Sequence, residues 1–248
     1  MARHNKTFTV GWLYPDLMNI YGDRGNILTL LKRAEWRGYD ARLIELGRGT
    51  TNGMAEVDLF FFGGGQDREQ ALVYEDLLEH KQAPLERAVA AGAGVLAVCG
   101  GYQLLGHYYQ TGEGERFPGI GLIDVRTEAG KRRFIGDVVV DTDLADIKPA
   151  TLVGFENHSG RTFLGPKAKP LGRVRMGFGN NGEDHMEGCL QGGVLGTYLH
   201  GSLLPKNPHL ADHLIKNALR RRAITDLAPL DDATELAAHE KILARAQR

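Results

Sequence analysis

Apolar positions follow two rhythms along the chain. In the first hundred residues, short continuous apolar runs alternate with stretches in which apolar residues return every three or four positions. VDLFFFGGG (57–65) and GVLAV (94–98) are runs of the first kind, and with TFTVGWL (7–13) and YDARLIEL (39–46) they predict strands. Between them, GDRGNILTLLKRAEWRG (22–38) places Ile27, Leu30, Leu31 and Ala34 on one helical face and closes on Gly38. The segment 67–92 reads as helix with a break at Pro84, and a short helix is predicted after Cys99 through YQLLGHYY. Strands alternating with helices predict a parallel, doubly wound sheet, which binds ligands at the carboxyl ends of its strands.

From about residue 117 the pattern changes. GLIDVRT, IGDVVVDT, TLVGFENH, RVRMGFG and GVLGTYLH are short, alternating or β-branched, and separated by Gly, Asn and Pro. They predict an antiparallel β extension in the C-terminal half, continuing the sheet edge. Two helices, 207–222 and 232–247, close the chain, and Asp232 with Glu235 resembles a capping pair. There is no internal repeat and no linker, so residues 1–248 are read as one domain.

Composition narrows the function classes. A net charge of −1 over 248 residues gives no basic field for nucleic acid. The N-terminal residues lack the apolar core of a signal peptide, and no apolar run approaches a membrane span. Two cysteines make no disulfide framework. These features predict a soluble cytoplasmic protein with no membrane anchor of its own.

The candidate chemistry gathers at strand ends. AGVLAVCGGYQLLG (93–106) ends a buried strand on Cys99 and follows it with Gly100 and Gly101. Such a turn lifts a nucleophile off the sheet, and the backbone N–H groups of the following helix face a reacting oxygen. Core filler is the other reading of the same cysteine. Gly63, Gly64 and Gly65 follow a second buried strand and could bring another N–H to the rim, or form an ordinary loop. No Lys-Ser/Thr follows them, so this is not a phosphate-binding Walker loop. His200 in GVLGTYLHGS ends an apolar strand where a base would sit, and His158 in GFENHSG is its rival. His209 and His213 stand four apart on a predicted helix, without the further ligands a metal needs, so no metal site is expected. Cys189 lacks a glycine-flanked helix start and reads as structural.

Cys99-Gly100-Gly101-Tyr102-Gln103 resembles the Cys-x-Gly-x-Gln nucleophile motif of class I (triad) glutamine amidotransferases. Five blocks place the resemblance in the cobyric-acid-synthase-like branch, nearest the glutaminase subunits of lipid II isoglutaminyl synthases. They are MNIYGDRGN (18–26), FFFGGGQDREQ, CGGYQLLG, GFENHSGRT and GTYLHGSLLPKNP, in that order along nearly the whole chain. The resemblance implies a flavodoxin-like three-layer α/β fold. It further implies that Cys99 attacks the side-chain amide of L-glutamine, that N–H groups near Gly64, Gly65 and Gly100 hold the oxyanion, and that His200 moves the proton. It assigns Arg133 to the substrate, whose α-carboxylate suits a bidentate guanidinium. Gln103, one helical turn past the nucleophile, would orient the substrate or cap local backbone. Arg132 would point away if this segment is a strand.

One departure bears on mechanism. Many class I relatives carry a Glu two residues after the histidine; here that position is Ser202. The resemblance implies an Asp supplied in trans by a Mur-ligase-like, ATP-dependent synthetase subunit of the MurT type. Glu156 is the in-chain candidate. This chain is expected to hold no cofactor, with ATP and Mg on the partner, and to meet the inner membrane face only through the complex. Three rivals remain: an amidotransferase subunit for a cobyrinic-acid-type acceptor, a stand-alone cysteine hydrolase on the same fold, and a non-enzymatic scaffold with Cys99 in its core.

Overall fold

A computed structural model describes residues 6–20 and 23–247. The Tyr21-Gly22 pair of the MNIYGDRGN block and the first five residues lie outside the described residues.

The first sheet is built from β1 (Thr7–Leu13), β2 (Asp40–Leu46), β3 (Leu59–Phe62), β4 (Gly94–Val98), β11 (Cys189–Gln191) and β12 (Val194–Thr197). Its order is β11-β12-β4-β3-β1-β2, parallel throughout except for the β11–β12 pair. Leaving β11 aside, the chain steps outward from β1 in one direction to β2 and in the other through β3 and β4 to β12. This is the flavodoxin-like order, whose switch point lies between β1 and β3. The crevice at that point is therefore walled by the segments that follow β1 and β3. The inner strands β1, β3 and β4 are covered on both faces, so Phe8, Val10, Phe60, Phe61, Phe62, Val95 and Leu96 have no exposed surface, while edge strand β2 is largely exposed.

Helices α1 (Arg24–Glu35) and α5 (Pro208–Leu219) pack on each other, α1 against β1 and α5 against β3 and β4. The 67–92 segment forms α2 (Asp67–Asp76), a wider π turn over 77–81, and α3 (Gln82–Ala90). Pro84 is not the break: it sits in the first turn of α3, where its missing N–H is no loss. The irregularity falls on Lys81 instead, whose buried ammonium bonds Asp76 Oδ2 at 2.6 Å and the Gly47 carbonyl at 2.7 Å. The helix after Cys99, α4 (Gly100–Leu105), is shorter than the sequence suggests, because Tyr108 and Tyr109 already belong to a strand.

The β extension is split: GVLGTYLH gives β12, which with β11 continues the edge of the first sheet, and the rest forms a second sheet. The second sheet holds β5 (Tyr108–Gln110), β6 (Arg116–Pro118), β7 (Val125–Asp141), β8 (Thr151–Leu164), β9 (Gly172–Met176) and β10 (Met186–Glu187). GLIDVRT and IGDVVVDT merge into the single long β7, whose register against β8 shifts between Ala129 and Phe134. That irregular stretch carries Arg132 and Arg133. Helix α6 (Ala233–Leu243) contacts β7 and β8. Asp232 does not cap it: its carboxylate turns to the buried Arg33 guanidinium at 2.6 Å, which also pairs with Asp212 of α5 at 2.7 Å. A tertiary ion pair has overridden the local capping signal.

Candidate active site

Cys99 occupies the one-residue step between β4 and α4 with φ 51° and ψ −108°. A positive φ is rare for a residue with a side chain and costs on the order of 1–3 kcal/mol. Neighbouring backbone over-determines it. The Cys99 N–H donates to the Thr197 carbonyl of β12 at 2.9 Å, and its own carbonyl accepts the Gln103 N–H at 3.0 Å. The glycines around it permit close approach. The Gly101 N–H donates to the Gly63 carbonyl at 3.0 Å, and a Cβ on Gly101 would lie 2.5 Å from the Phe62 carbonyl oxygen. A Cβ on Gly100 would lie 2.9 Å from the Gly65 nitrogen. The first turn of α4 thus rests directly on the loop after β3.

Cys99 opens into a cavity lined also by Gly65, Gln103, Arg133, Asn157 and His158. Arg133 is aimed by β8: its Nε donates to Asn157 Oδ1 at 2.5 Å and its Nη2 to the Asn157 carbonyl at 3.2 Å. Arg132 turns away and lies over the Phe178 ring at 5.0 Å. The two guanidiniums diverge as adjacent strand residues do, and one of them faces the cavity with the cysteine.

His200 stands three residues beyond Thr197. Its N–H donates to the Phe155 carbonyl at 2.7 Å and its carbonyl accepts the Phe155 N–H at 3.3 Å, which fixes the loop against β8. It has no exposed surface, and its Cε1 lies 3.2 Å from where a Gly64 Cβ would stand. Burial, reinforced by His158 and Arg133, pushes its pKa down to about 3. The ring is therefore neutral at pH 7. Cys99 and His200 thus sit at the carboxyl ends of adjacent strands. His158 is held differently, stacked on Tyr198 at 3.7 Å with Nδ1 2.8 Å from the Gly160 carbonyl. Glu156 lies beside His158 at 3.6 Å, and its two oxygens accept the Phe178 and Gly179 N–H groups at 2.8 and 3.1 Å. That carboxylate serves a turn at 178–179.

Gln103 borders the cavity, yet its amide is engaged: Oε1 accepts from Gln70 at 2.9 Å and Nε2 donates to the Tyr198 hydroxyl at 3.1 Å. Gln70 also reaches the Gly65 carbonyl at 3.3 Å, so Gln103 is linked to the glycine loop through a residue the sequence did not single out. The Gly64 N–H donates to Asp23 Oδ2 at 2.7 Å. Asp23 is wholly buried, and burial raises its carboxyl to about 7 against the opposing pull of that N–H. Neither contact could be found from local pattern, although Asp23 and Gln70 both lie in blocks that carry the resemblance. Cys189 is sealed in the core, where burial pushes its thiol up to about 12. His209 bonds the Thr151 carbonyl and His213 the Asn217 amide. Among the described residues no three His, Cys, Asp or Glu side chains gather into a metal-binding group.

A strained cysteine at a strand-to-helix step, glycine loops beside it, a neutral imidazole at the next strand end and an arginine across the cavity define the amidotransferase class of site. Residues 9–208 match the family model described as the CobB/CobQ-like glutamine amidotransferase domain, and the chain belongs to that family. Within it, the chain is similar to the lipid II isoglutaminyl synthase (glutamine-hydrolyzing) subunit GatD of Staphylococcus aureus, with 40% identity over 97% of this chain and 96% of that one. The Streptococcus pneumoniae GatD subunit is 39% identical over 95% of this chain and 87% of that one. Cobyric acid synthase of Pelotomaculum thermopropionicum is 33% identical over 80% of this chain but only 40% of its own length. The fold matches a Thermotoga maritima glutamine amidotransferase with a TM-score of 0.54 at 16% identity, covering 98% of this chain and 96% of that one.

Proposed function

We propose that this chain is the glutaminase subunit of a lipid II isoglutaminyl synthase. The observation that carries the reading is the placement of Cys99 and Arg133 on one cavity, with His200 ending the strand beside the cysteine. L-Glutamine enters with its α-carboxylate on Arg133. Cys99 Sγ attacks the side-chain amide carbon while its proton passes to His200. The tetrahedral oxyanion is held by N–H groups of the glycine loops, including that of Gly100. Collapse breaks the C–N bond; the amide nitrogen leaves as ammonia with the proton from His200. Water then cleaves the thioester to glutamate and regenerates the thiol.

The ammonia passes to a Mur-ligase-like synthetase subunit of the MurT type, forming a heterodimer. With ATP and Mg, that subunit amidates the α-carboxyl of D-glutamate in lipid II to D-isoglutamine, a step of cell-wall biosynthesis. Similarity to the GatD subunits over nearly their whole length favours this acceptor over a cobyrinic one, since the chain matches less than half of the cobyric acid synthase. No helix of the described residues is long and apolar enough to cross a membrane, so contact with the membrane-borne acceptor would run through the complex.

The partner also completes the catalytic group. Burial of His200, reinforced by the Arg133 guanidinium, opposes imidazolium formation. An Asp delivered by the synthetase subunit would orient the ring and stabilise its charged form. The free chain should therefore hydrolyse glutamine about 10²–10⁴-fold more slowly than the complex, the range of general acid–base assistance. The test is to isolate the chain with its bound partner from its own cell. The complex should convert lipid II and glutamine to the amidated product with ATP; a complex that amidates a different acceptor, or none, overturns the reading.

A further inference from the structure

The described residues of the MNIYGDRGN block have no part in the chemistry above, yet Ile20 lines the cavity that holds Cys99. Asp23 stands at the N-cap position of α1 and its side chain makes no capping bond. Its side chain turns the other way, and Oδ2 accepts the Gly64 N–H at 2.7 Å. Oδ1 is buried and has no hydrogen-bond partner among the described residues. Three residues on, Asn26 Oδ1 accepts the Leu204 N–H at 2.9 Å, in the loop that carries His200. Between them Gly25 lies so close to Ser202 that a Cβ there would fall 2.3 Å from its Oγ. The first turn of α1 therefore grips the glycine loop with one residue and the histidine loop with another. A buried carboxyl with one neutral donor among the described residues is unfavourable, and a capping role would have supplied the same residue with local N–H partners. The geometry therefore calls for a function at the Gly64 end.

With its N–H on Asp23, Gly64 has no donor for a substrate oxygen. The next residue, Gly65, lines the cavity with Cys99, and its nitrogen is the atom closest to the Cβ position of Gly100. We propose that Asp23 is a positioning residue for glutamine hydrolysis: by holding the Gly64 N–H it sets the glycine loop so that the Gly65 N–H joins that of Gly100 at the oxyanion. This rests on the reading that Cys99 hydrolyses glutamine. Asp23 touches neither substrate nor thiol, and acts through the loop.

The experiment compares wild type, Asp23→Ala and Asp23→Asn in the complex purified with its synthetase partner. Three quantities are measured: glutamine kcat and KM, the rate of Cys99 alkylation by iodoacetamide, and backbone hydrogen exchange over residues 62–66. Alkylation displaces iodide at a saturated carbon and develops no oxyanion, so it reports the thiol and not the donors. Asp23→Ala should lower kcat about 10²-fold, the effect of losing one oxyanion donor, with KM and alkylation within twofold of wild type and faster exchange over 62–66. Asp23→Asn keeps an acceptor oxygen and should restore kcat to within tenfold of wild type and exchange to the wild-type rate. The role is overturned if Asp23→Ala keeps wild-type kcat, if alkylation falls in step with kcat, or if Asp23→Asn is no better than Asp23→Ala. Unchanged exchange in Asp23→Ala also overturns it, by a measurement that needs no turnover. A wild-type complex that releases no ammonia would remove the functional reading instead, and the exchange result would still judge the contact.

Discussion

Cys99 and Arg133 divide the work at the level of single residues. The backbone around Cys99 is pinned by Thr197 and Gln103, so its strained φ survives substitution of its side chain. Arg133 is aimed by Asn157 and holds the substrate's carboxylate in the proposed reaction. An interaction made equally in ground and transition states shows in KM more than in kcat. Arg133→Lys retains charge but loses the planar fork. It should raise KM for glutamine at least tenfold with kcat within about threefold, as steady-state ammonia release will show; an unchanged KM would remove Arg133 from the substrate site.

At the level of elements, the site exists because α4 and the loop after β3 are packed closer than side chains allow. Gly101→Ala would place a Cβ 2.5 Å from the Phe62 carbonyl, backbone of the core strand β3 that cannot swing aside. Overpacking of this kind costs about 1–3 kcal/mol, and the displaced α4 shifts the adjoining Cys99 with it. The expected result is a lower unfolding midpoint in urea together with a fall in glutaminase rate; full activity at wild-type stability would contradict the packing. The same elements show what a sequence can and cannot disclose. The Cys99 turn and both glycine runs are written in contiguous residues, and so are legible without a structure. Asp23 with Gly64, and Gln70 with Gln103, are separated by 41 and 33 positions, and only the sheet order brings them together. Asp232 reads locally as a cap and is taken by Arg33, while the second sheet is hidden because short alternating runs do not say which sheet they join.

Over the whole molecule, buried titratable groups couple stability to pH. His158, His200, His209, His213 and His239 all have pKa values lowered from the ordinary 6.5, chiefly by burial. A histidine lowered on folding contributes stability that is present above pH 6.5 and is lost as pH falls below it, because the unfolded chain then binds the extra proton. Asp23 and Glu187, each raised to about 7, act in the opposite sense between pH 7 and about 4. Five imidazoles outweigh two carboxyls, so the unfolding temperature should fall steadily from pH 7 to pH 5. A rise over that interval would show that the histidines are not buried as described.

The fold, the family and the cavity converge on one claim, that Cys99 is the nucleophile that releases ammonia from glutamine. Its most direct measurement is ammonia release from glutamine by the complex carrying Cys99→Ala, set beside wild type and Cys189→Ala at equal partner content. Cys99→Ala should leave no release above background while Cys189→Ala keeps at least half the wild-type rate. Ammonia still produced by Cys99→Ala, or lost in Cys189→Ala while the protein remains folded, would contradict the account.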